Sequence, residues 1–376
     1  MKVLIAIDSF KGSMSTFMAN EAVSQAVKSV YPDAETVMCP LADGGEGTVD
    51  AIVSATGGKI RKVEVTGPLD ERVTAKYGVI PKTNTAVIEM AEAAGITLVA
   101  PQDRNPLETT TFGVGEIIKD AINNGYRKFI VGIGGSATND GGVGMLQALG
   151  FSFVDKDGKE IPHGAKGLAV LERIITDKAM PELHECSFCV ACDVKNPLCG
   201  EKGCSHVFAP QKGADLPMIE KMDRDMKRYA EISKTVCANA DENYEGAGAA
   251  GGLGFAFLAY LNATMQSGIS LVIEQTGIED KIKNVDVVVT GEGRLDGQSA
   301  MGKAPIGIAK LGKKYGKTVI AFAGGVTREA VVCNEHGIDA FFSILRAPCT
   351  LAEAMDEKNA VENLRATATQ VFRLIK

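Results

Sequence analysis

The chain has 376 residues, 45% of them hydrophobic, which suits two compact domains of ordinary size. Its 40 Lys and Arg against 47 Asp and Glu give a net charge of −7, which argues against nucleic acid or an anionic membrane as the main partner. Nine cysteines, with a first segment that reads as a strand and not as an export signal, predict reduced thiols and a cytoplasmic protein.

The first segment of the chain alternates strands and helices. The strand KVLIAID precedes a helix over about 15–30, and the strand ETVMCPLA precedes a helix over about 48–55. The last segment follows the same pattern, from the strand VDVVVT at 285–290 to a long final helix from about Leu351. This alternation predicts a parallel sheet.

The middle of the chain shows a different pattern of predicted elements. KIRKVEVTG, VTAKYGVI and TAVIEMAEAAG read as strands joined by turns, which favours antiparallel pairing in an inserted domain. The unit GVGEIIKDAINNGYRKFIVGIGG reads as a return to the parallel sheet. We therefore predict one Rossmann-like domain from residues 1–62, 105–145 and 270–376, and an inserted α/β domain with a mixed sheet from residues 63–104 and 146–269.

Five loops after predicted strands are both polar and rich in glycine. They are DSFKGS (8–13), ADGGEG (42–47), GIGGSATNDGG (132–142), TGEGRLDGQS (290–299) and AGGVT (323–327). Short connections need glycine, but they do not need Asp, Ser, Thr and Lys as well. Because loops after parallel strands emerge at one edge of a sheet, we predict one shared crevice.

The loop GIGGSATNDGG also contains the spacing of a dinucleotide fingerprint. Gly132, Gly134 and Ala137 fit G-x-G-x-x-A, and Asp155 follows the strand FSFVD at about the position of a ribose-binding acid. That mechanism needs a helix to begin inside the motif, and the TNDGG that follows disfavours one. NAD binding therefore stays the weaker interpretation.

The segment GQSAMGK (297–303) has Walker-A spacing. Ala304 stands where a P-loop needs Ser or Thr, so an ordinary Walker-A fold is disfavoured, although Lys303 ahead of a helix remains a candidate anion contact or a solvated surface lysine. The cysteines of CSFCVAC suggest a metal site by spacing alone. Strand alternation sends Cys189 and Cys192 to opposite faces, which favours buried thiols.

A long uncharged stretch runs over 246–273. Its polar residues and acidic flanks favour a buried helix over a membrane span. The GAGAAGGLG at its start reads as an anion cradle that includes Gly248 and Gly251, or as close helix packing through small residues.

Carboxylates recur in the loops, and histidines do not. Asp193 ends the strand of ACDVKNPL beside Asn196, and Glu292 pairs with Asp296. None of the four histidines lies in a glycine-rich loop and no G-x-S-x-G occurs, which excludes an ordinary Ser-His-Asp hydrolase. Anion cradles, carboxylates and a lysine without histidine fit phosphoryl transfer to a small molecule.

Several long motifs occur here in one order. They are DSFKGS, PLADGGEGT, VTGPL, GIGGSATNDGG, ACDVKNPL, PQKGA, GAGAAGGLG and TGEGRLDGQS followed by GKAPIGIA. In these the chain resembles bacterial glycerate kinases of the glycerate kinase I type over nearly its full length, apart from Ile7, where many relatives have Pro. The resemblance implies an ATP- and magnesium-dependent kinase of D-glycerate, commonly yielding 2-phosphoglycerate. It also implies a Rossmann-like domain and a second α/β domain that flank an active-site cleft.

Roles for individual residues are hypotheses drawn from chemistry. Asp193 is predicted to orient or deprotonate the glycerate hydroxyl, Lys11 and Arg294 to contact the carboxylate or the transferring phosphoryl, and Asp296 and Glu292 to hold magnesium. The predicted substrate- or phosphate-binding residues are Asp8, Ser9, Gly134, Gly135, Ser136, Thr138, Asn139, Asn196, Gly248, Gly251, Ser299 and Lys303.

Two alternatives stay open at this point, an NAD-dependent hydroxy-acid dehydrogenase and a non-catalytic sensor of small acids. The sequence also leaves open the phosphorylated position, the loops that hold ATP and glycerate, and whether the chain forms a homo-oligomer.

Overall fold

The computed structural model describes residues 1–301 and 303–376. The strands are β1 Lys2–Ile7, β2 Glu35–Met38, β3 Lys59–Thr66, β4 Arg72–Ile80, β5 Thr85–Glu89, β6 Lys128–Gly132, β7 Ser152–Val154, β8 Arg173–Ile175, β9 Ser187–Ala191, β10 Thr264–Gln266, β11 Val287–Leu295, β12 Thr318–Val326 and β13 Ala340–Ser343. The helices are α1 Thr16–Val30, α2 Thr48–Thr56, α3 Ala91–Ala94, α4 Phe112–Asn123, α5 Val143–Ala148, α6 Ala165–Leu168, α7 Cys204–Phe208, α8 Leu216–Ser233, α9 Ala249–Leu261, α10 Gly268–Thr276, α11 Ile278–Lys283, α12 Ala304–Lys314, α13 Val332–Glu335, α14 Leu351–Met355 and α15 Glu357–Leu374.

The chain forms two compact units. Unit 1 comprises Met1–Asp43, Asp50–Thr56 and Ile269–Lys376, and unit 2 comprises Gly44–Val49 and Gly57–Gly268. The α/β class is as predicted, but the placement of residues 105–145 in the first domain is wrong. This segment belongs to unit 2 because β6 pairs in parallel with both β5 and β9.

Unit 1 is built on a five-stranded parallel sheet in the order β13-β12-β11-β1-β2. The run from Val3 to Ile7 is fully buried, as expected for a central parallel strand covered on both faces. The chain proceeds outward from β1 to β2 on one side and from β11 to β13 on the other. The order therefore reverses between β1 and β11, which makes that point a topological switch.

Two strands of unit 1 extend further than predicted. β11 continues through Glu292 and Arg294 to Leu295, and β12 continues to Val326. The two strands pair here, with Glu292 opposite Ala323 and Arg294 opposite Gly325. Glycine density suggested loops at 290–299 and 323–327, but pairing with a neighbouring strand outweighed local propensity.

The predicted long final helix is two helices. Asp356 separates them because its side chain accepts the backbone N–H of Asn359 at 3.0 Å and so caps the start of α15. A capping box formed by Thr350 and Glu353 begins α14. The two capping signals set α14 apart as an independent element of five residues.

Unit 2 has a six-stranded mixed sheet in the order β10-β9-β6-β5-β4-β3. The pairing of β3 with β4 and of β4 with β5 is antiparallel, which confirms the strand direction predicted for this part of the chain. The uncharged stretch at 246–273 is not one helix: it contains the buried helix α9, with Phe255 and Phe257 in the core, followed by β10 and the start of α10. Among the described residues, no helix combines the length and the apolar character that a membrane crossing requires.

Candidate active site

Unit 1 contains a cavity of about 490 Å³ at the carboxyl edge of its sheet. The segment after β1, the ends of β11 and β12, the segment after β13, and α14 all contribute to its lining. The lining includes seven of the predicted site residues, Asp8, Ser9, Lys11, Glu292, Arg294, Asp296 and Lys303. Because β1 and β11 flank the switch point, the cavity lies where open α/β sheets bind ligands.

The charged groups of this cavity lie close together. Lys11 Nζ is 2.9 Å from Asp43 Oδ2. Arg294 Nε is 3.3 Å from Asp296 Oδ2. A polyanion can take the place of the carboxylate beside Lys11 or Arg294. The carboxylate that is released can then bind a metal ion.

Asp8 is buried at the carboxyl end of β1. Burial raises its pKa to about 7, and the nearby charge of Asp43 adds to the rise, although the Ser9 N–H, 2.6 Å from Asp8 Oδ1, opposes it. The Lys11 side chain is largely exposed; desolvation within the cavity acts against its ammonium, but Asp43, Asp8 and Glu292 together outweigh this effect and raise the pKa. Lys11 therefore stays cationic while Asp8 is poised to change protonation near neutral pH.

Ser299 organises the two carboxylates predicted to hold magnesium. Its hydroxyl donates to Glu292 Oε1 at 2.6 Å and accepts from the backbone N–H of Asp296 at 3.1 Å. Ser299 is fully buried, so its predicted direct contact with a ligand is unavailable and it supports its neighbours instead. Burial raises the pKa of Glu292, opposed by the Ser299 hydrogen bond and by Lys303.

The end of the Walker-like segment adds one cation to the cavity. Lys303 precedes α12, and its Nζ is 4.0 Å from Glu292 Oε2. Gly302 of this segment lies outside the described residues. Within the part of the chain that is described, no group of three or more His, Cys, Asp or Glu side chains is arranged to hold a metal.

Sequence reasoning missed part of this cavity. The missed lining residues are Phe10, Ser13, Asp43, Gly293, Gly324, Gly325, Ile344, Leu345, Leu351, Ala354 and Met355. Six of them, Phe10, Ser13, Asp43, Gly293, Gly324 and Gly325, lie in loops that were predicted to share a crevice. Ile344, Leu345, Leu351, Ala354 and Met355 carried no signal, because their pattern is that of any strand or helix.

Unit 2 has a glycine-lined edge of its own. A Cβ at Gly132, the last residue of β6, would lie 2.3 Å from the carbonyl oxygen of Gly44. A Cβ at Gly44 would lie 2.7 Å from Cβ of Ala191, the last residue of β9. Gly44 therefore packs on the carboxyl ends of these strands through backbone that only glycine permits. Beside it, Glu89 is buried with its pKa raised to about 7 by burial, although it accepts the Val49 N–H at 2.7 Å.

The glycine loop after β6 does not form a dinucleotide fingerprint. Its helix α5 begins at Val143, beyond the whole motif, so no helix N-terminus lies within it. Asp155 follows β7, which pairs with β8 in a separate two-stranded sheet. The structure thus removes both features on which the dehydrogenase alternative depended.

Two predicted ligand contacts of this loop face the protein interior. Thr138 and Asn139 are fully buried, and Asn139 Nδ2 donates to Ser205 Oγ at 2.9 Å. Asp140, also buried, accepts from the backbone N–H and the hydroxyl of Thr111, both at 2.8 Å. Side-chain contact with a ligand is therefore unavailable to Thr138 and Asn139. Gly134 and Gly135 are exposed.

Lys212 was not predicted and lies against this loop. Its side chain is 2% exposed, and Nζ donates to Ser136 Oγ at 2.7 Å and to the Thr138 carbonyl oxygen at 2.6 Å. Burial lowers its pKa to about 8, while Cys204 and Asp140 act in the opposite direction. The ammonium holds both ends of the Ser136–Thr138 segment. The motif PQKGA contained the residue, but nothing in the sequence marked it as buried.

Replacing Lys212 with methionine should change how stability depends on pH. An unfolded lysine has a pKa of about 10.4, so between about pH 8 and 10.4 the unfolded wild-type chain binds a proton that the folded chain has lost. The wild-type free energy of unfolding therefore gains up to about 3 kcal/mol in this range, relative to Lys212→Met. Urea unfolding of both proteins at pH 7, 8.5 and 10 measures the gain, and parallel pH profiles would contradict it.

Gly248 and Gly251 serve close packing, the alternative to an anion cradle. A Cβ at Gly248 would lie 2.2 Å from the Pro197 carbonyl oxygen, and a Cβ at Gly251 would lie 2.1 Å from that of Thr138. Gly251 also has φ +68° and accepts the Gly141 N–H at 2.9 Å. The two glycines let α9 approach neighbouring backbone.

Substituting Gly251 by alanine is expected to lower the melting temperature substantially, because a steric clash adds to the cost of a left-handed backbone, together about 2–4 kcal/mol. Gly158→Ala is the matched control. Gly158 has φ +76°, but no atom of the described residues lies within 4 Å of the place its Cβ would take, so it isolates the backbone term. Equal losses in the two variants, measured by thermal unfolding, would argue against close packing at Gly251.

Asp193 and Asn196 lie in the segment after β9. Asp193 is exposed, and its Oδ1 accepts the Gly268 N–H at 3.1 Å. Asn196 Nδ2 donates to the Lys202 carbonyl oxygen at 2.8 Å. Their roles toward substrate stay predictions.

The parallel sheet of unit 1 carries at its switch point a cavity lined by cations and carboxylates. That combination is typical of an α/β phosphotransferase that acts on a small molecule. The sequence profile of the glycerate kinase family matches residues 3–376. The chain therefore belongs to the glycerate kinase family and is a kinase.

Individual relatives agree with this assignment. The chain is 46% identical to the glycerate kinase of Haemophilus influenzae, covering 100% of this chain and 99% of that protein. It is also 46% identical to the glycerate 2-kinase of Escherichia coli, covering 97% and 95%. A crystal structure from Salmonella typhimurium LT2, described as a candidate glycerate kinase 2, matches with a TM-score of 0.88 at 45% identity, covering 100% of this chain and 98% of that one.

Proposed function

We propose that this enzyme transfers the terminal phosphoryl group of ATP to the 2-hydroxyl of D-glycerate, yielding 2-phosphoglycerate. The family assignment supports glycerate as acceptor, and the name of the Escherichia coli relative supports the 2-position. We place the reaction in the cytoplasm, as the sequence predicts.

The observation that carries the proposal is the charge arrangement of the unit 1 cavity. Lys11, Arg294 and Lys303 bring three cations to it, and a phosphoryl group in transfer spreads negative charge over its outer oxygens. Catalysis of such a transfer is largely positioning and charge stabilisation, which fixed cations supply. Lys11 keeps its charge in this role, because Asp43, Asp8 and Glu292 outweigh the effect of desolvation on the ammonium.

Magnesium fits the donor set of this cavity. Glu292 and Asp296 offer the hard oxygen ligands that Mg²⁺ prefers, and one or two carboxylates with phosphate and water usually complete its site. These two residues would hold the ion, with Ser299 fixing Glu292. When bound, magnesium neutralises charge on the phosphates.

The acceptor hydroxyl needs a group that orients it and takes its proton. We assign this role to Asp193, whose carboxylate is accessible to solvent and fixed by the Gly268 N–H. The exposed backbone of Gly134 and Gly135, with Ser136 and Asn196, is proposed to bind substrate or phosphate.

An assay of ADP release with D-glycerate, followed by chromatographic separation of 2- and 3-phosphoglycerate, tests the proposal. Release that depends on ATP, magnesium and D-glycerate, with 2-phosphoglycerate as product, is expected. Formation of 3-phosphoglycerate would overturn the position, and absence of ADP release would overturn the function.

A further inference from the structure

One wall of the unit 1 cavity has no use in phosphoryl chemistry. It consists of Ile344 and Leu345 after β13 and of Leu351, Ala354 and Met355 on α14. Leu345, Leu351 and Met355 are 40%, 78% and 37% exposed. Large apolar side chains exposed side by side in a concavity usually mark a ligand surface.

Glycerate cannot account for this wall. It is a three-carbon acid with a polar group on every carbon, so an apolar surface gives it no favourable contact. The cavity, at about 490 Å³, is also of the size that holds a drug-sized ligand. A ligand that fits must have an apolar, flat part and an anionic part.

We propose that this cavity is the nucleotide site, with the base of a nucleoside di- or triphosphate against Leu345, Leu351, Ala354 and Met355. This rests on the proposed function for ATP as the donor. The phosphates extend toward Lys11, Arg294 and Lys303, in the charged part of the lining.

The backbone between the two parts of the cavity suits a nucleotide. Gly293, Gly324 and Gly325 line it at the ends of β11 and β12. At Gly325 the nearest described atom to an added Cβ is Arg294 Cγ at 3.9 Å, so the surface there is open. A ligand can thus lie directly on these strand ends, close to the switch point.

A bulky side chain on the apolar wall should prevent the nucleotide base from binding there. Ala354→Phe places a ring in the cavity, whereas Ala352→Phe makes the same change on the same helix at an exposed position outside the lining. By calorimetry with ADP alone, we expect Ala354→Phe to raise the dissociation constant about tenfold or more and Ala352→Phe to leave it within about twofold. Binding of D-glycerate alone should not change in either variant.

A second pair of variants tests the same wall in case Ala354→Phe does not fold. Leu351→Asp puts a charge on the apolar wall, and Leu374→Asp does the same at a leucine of similar exposure, 80% against 78%, outside the cavity. Only Leu351→Asp should weaken ADP binding. Unchanged ADP affinity in folded Ala354→Phe and Leu351→Asp overturns the assignment, as does loss of glycerate binding with ADP binding intact. A wild-type chain that binds ADP in this way but never turns over glycerate would instead refute the proposed function.

Discussion

Replacement of Lys11 by methionine is expected to lower kcat by a factor of about 10² to 10³, as removal of one preorganised charge stabiliser usually does. Methionine keeps most of the length of the side chain and removes the ammonium. Desolvation within the cavity disfavours that ammonium, although the side chain is largely exposed, and Asp43, Asp8 and Glu292 outweigh it and keep Lys11 charged across the pH range of an assay. Steady-state kinetics with saturating D-glycerate and ATP measure the effect.

Lys314→Met is the matched control for Lys11→Met. Lys314 also lies in unit 1, forms an ion pair of 2.7 Å with Glu279, and has a side chain 62% exposed against 65% for Lys11. Exposed ion pairs contribute little to stability, so both variants should fold equally well. A kcat for Lys11→Met close to that of Lys314→Met would remove Lys11 from catalysis.

The second large effect is expected at Asp193. Asp193→Asn should lower kcat by about a hundredfold or more, because an amide cannot accept the hydroxyl proton. The asparagine oxygen can still accept the Gly268 N–H, so the segment after β9 should keep its conformation. Rapid-quench measurement of the phosphoryl-transfer step would show the loss directly.

Asp241→Asn serves as the reference for this change. Asp241 likewise lies in unit 2, and its Oδ1 accepts one backbone N–H, that of Asn243, at 2.9 Å. Its variant should keep wild-type kcat. If Asp193→Asn also does, another group takes the proton, and the buried carboxyl of Asp8, with its pKa of about 7, becomes the next candidate.

The fold was largely predictable because its strongest signals are periodic. The alternating ends of the chain formed the parallel sheet, and the antiparallel texture of β3, β4 and β5 was visible from turns and strand composition. The sheet to which β6 belongs was not visible, because a buried strand before a glycine loop looks the same in either unit.

The candidate site was predictable where polar residues stood in glycine-rich segments. Asp8, Lys11, Glu292 and Arg294 were found in this way and meet in one cavity. The same rule is a poor guide at Thr138 and Asn139, whose side chains are fully buried. It also had no means of finding Lys212, since a single lysine in sequence does not show whether it is buried.

The break at Asp356 has a consequence for hydrogen exchange. α14 has five residues and no buried side chain, whereas α15 has eighteen residues and a buried apolar face. A helix this short gains little from cooperative hydrogen bonding, so its amides should exchange with solvent much faster than those of α15. A ligand seated on α14 would slow that exchange, so occupancy could be followed at 351–355 without any turnover.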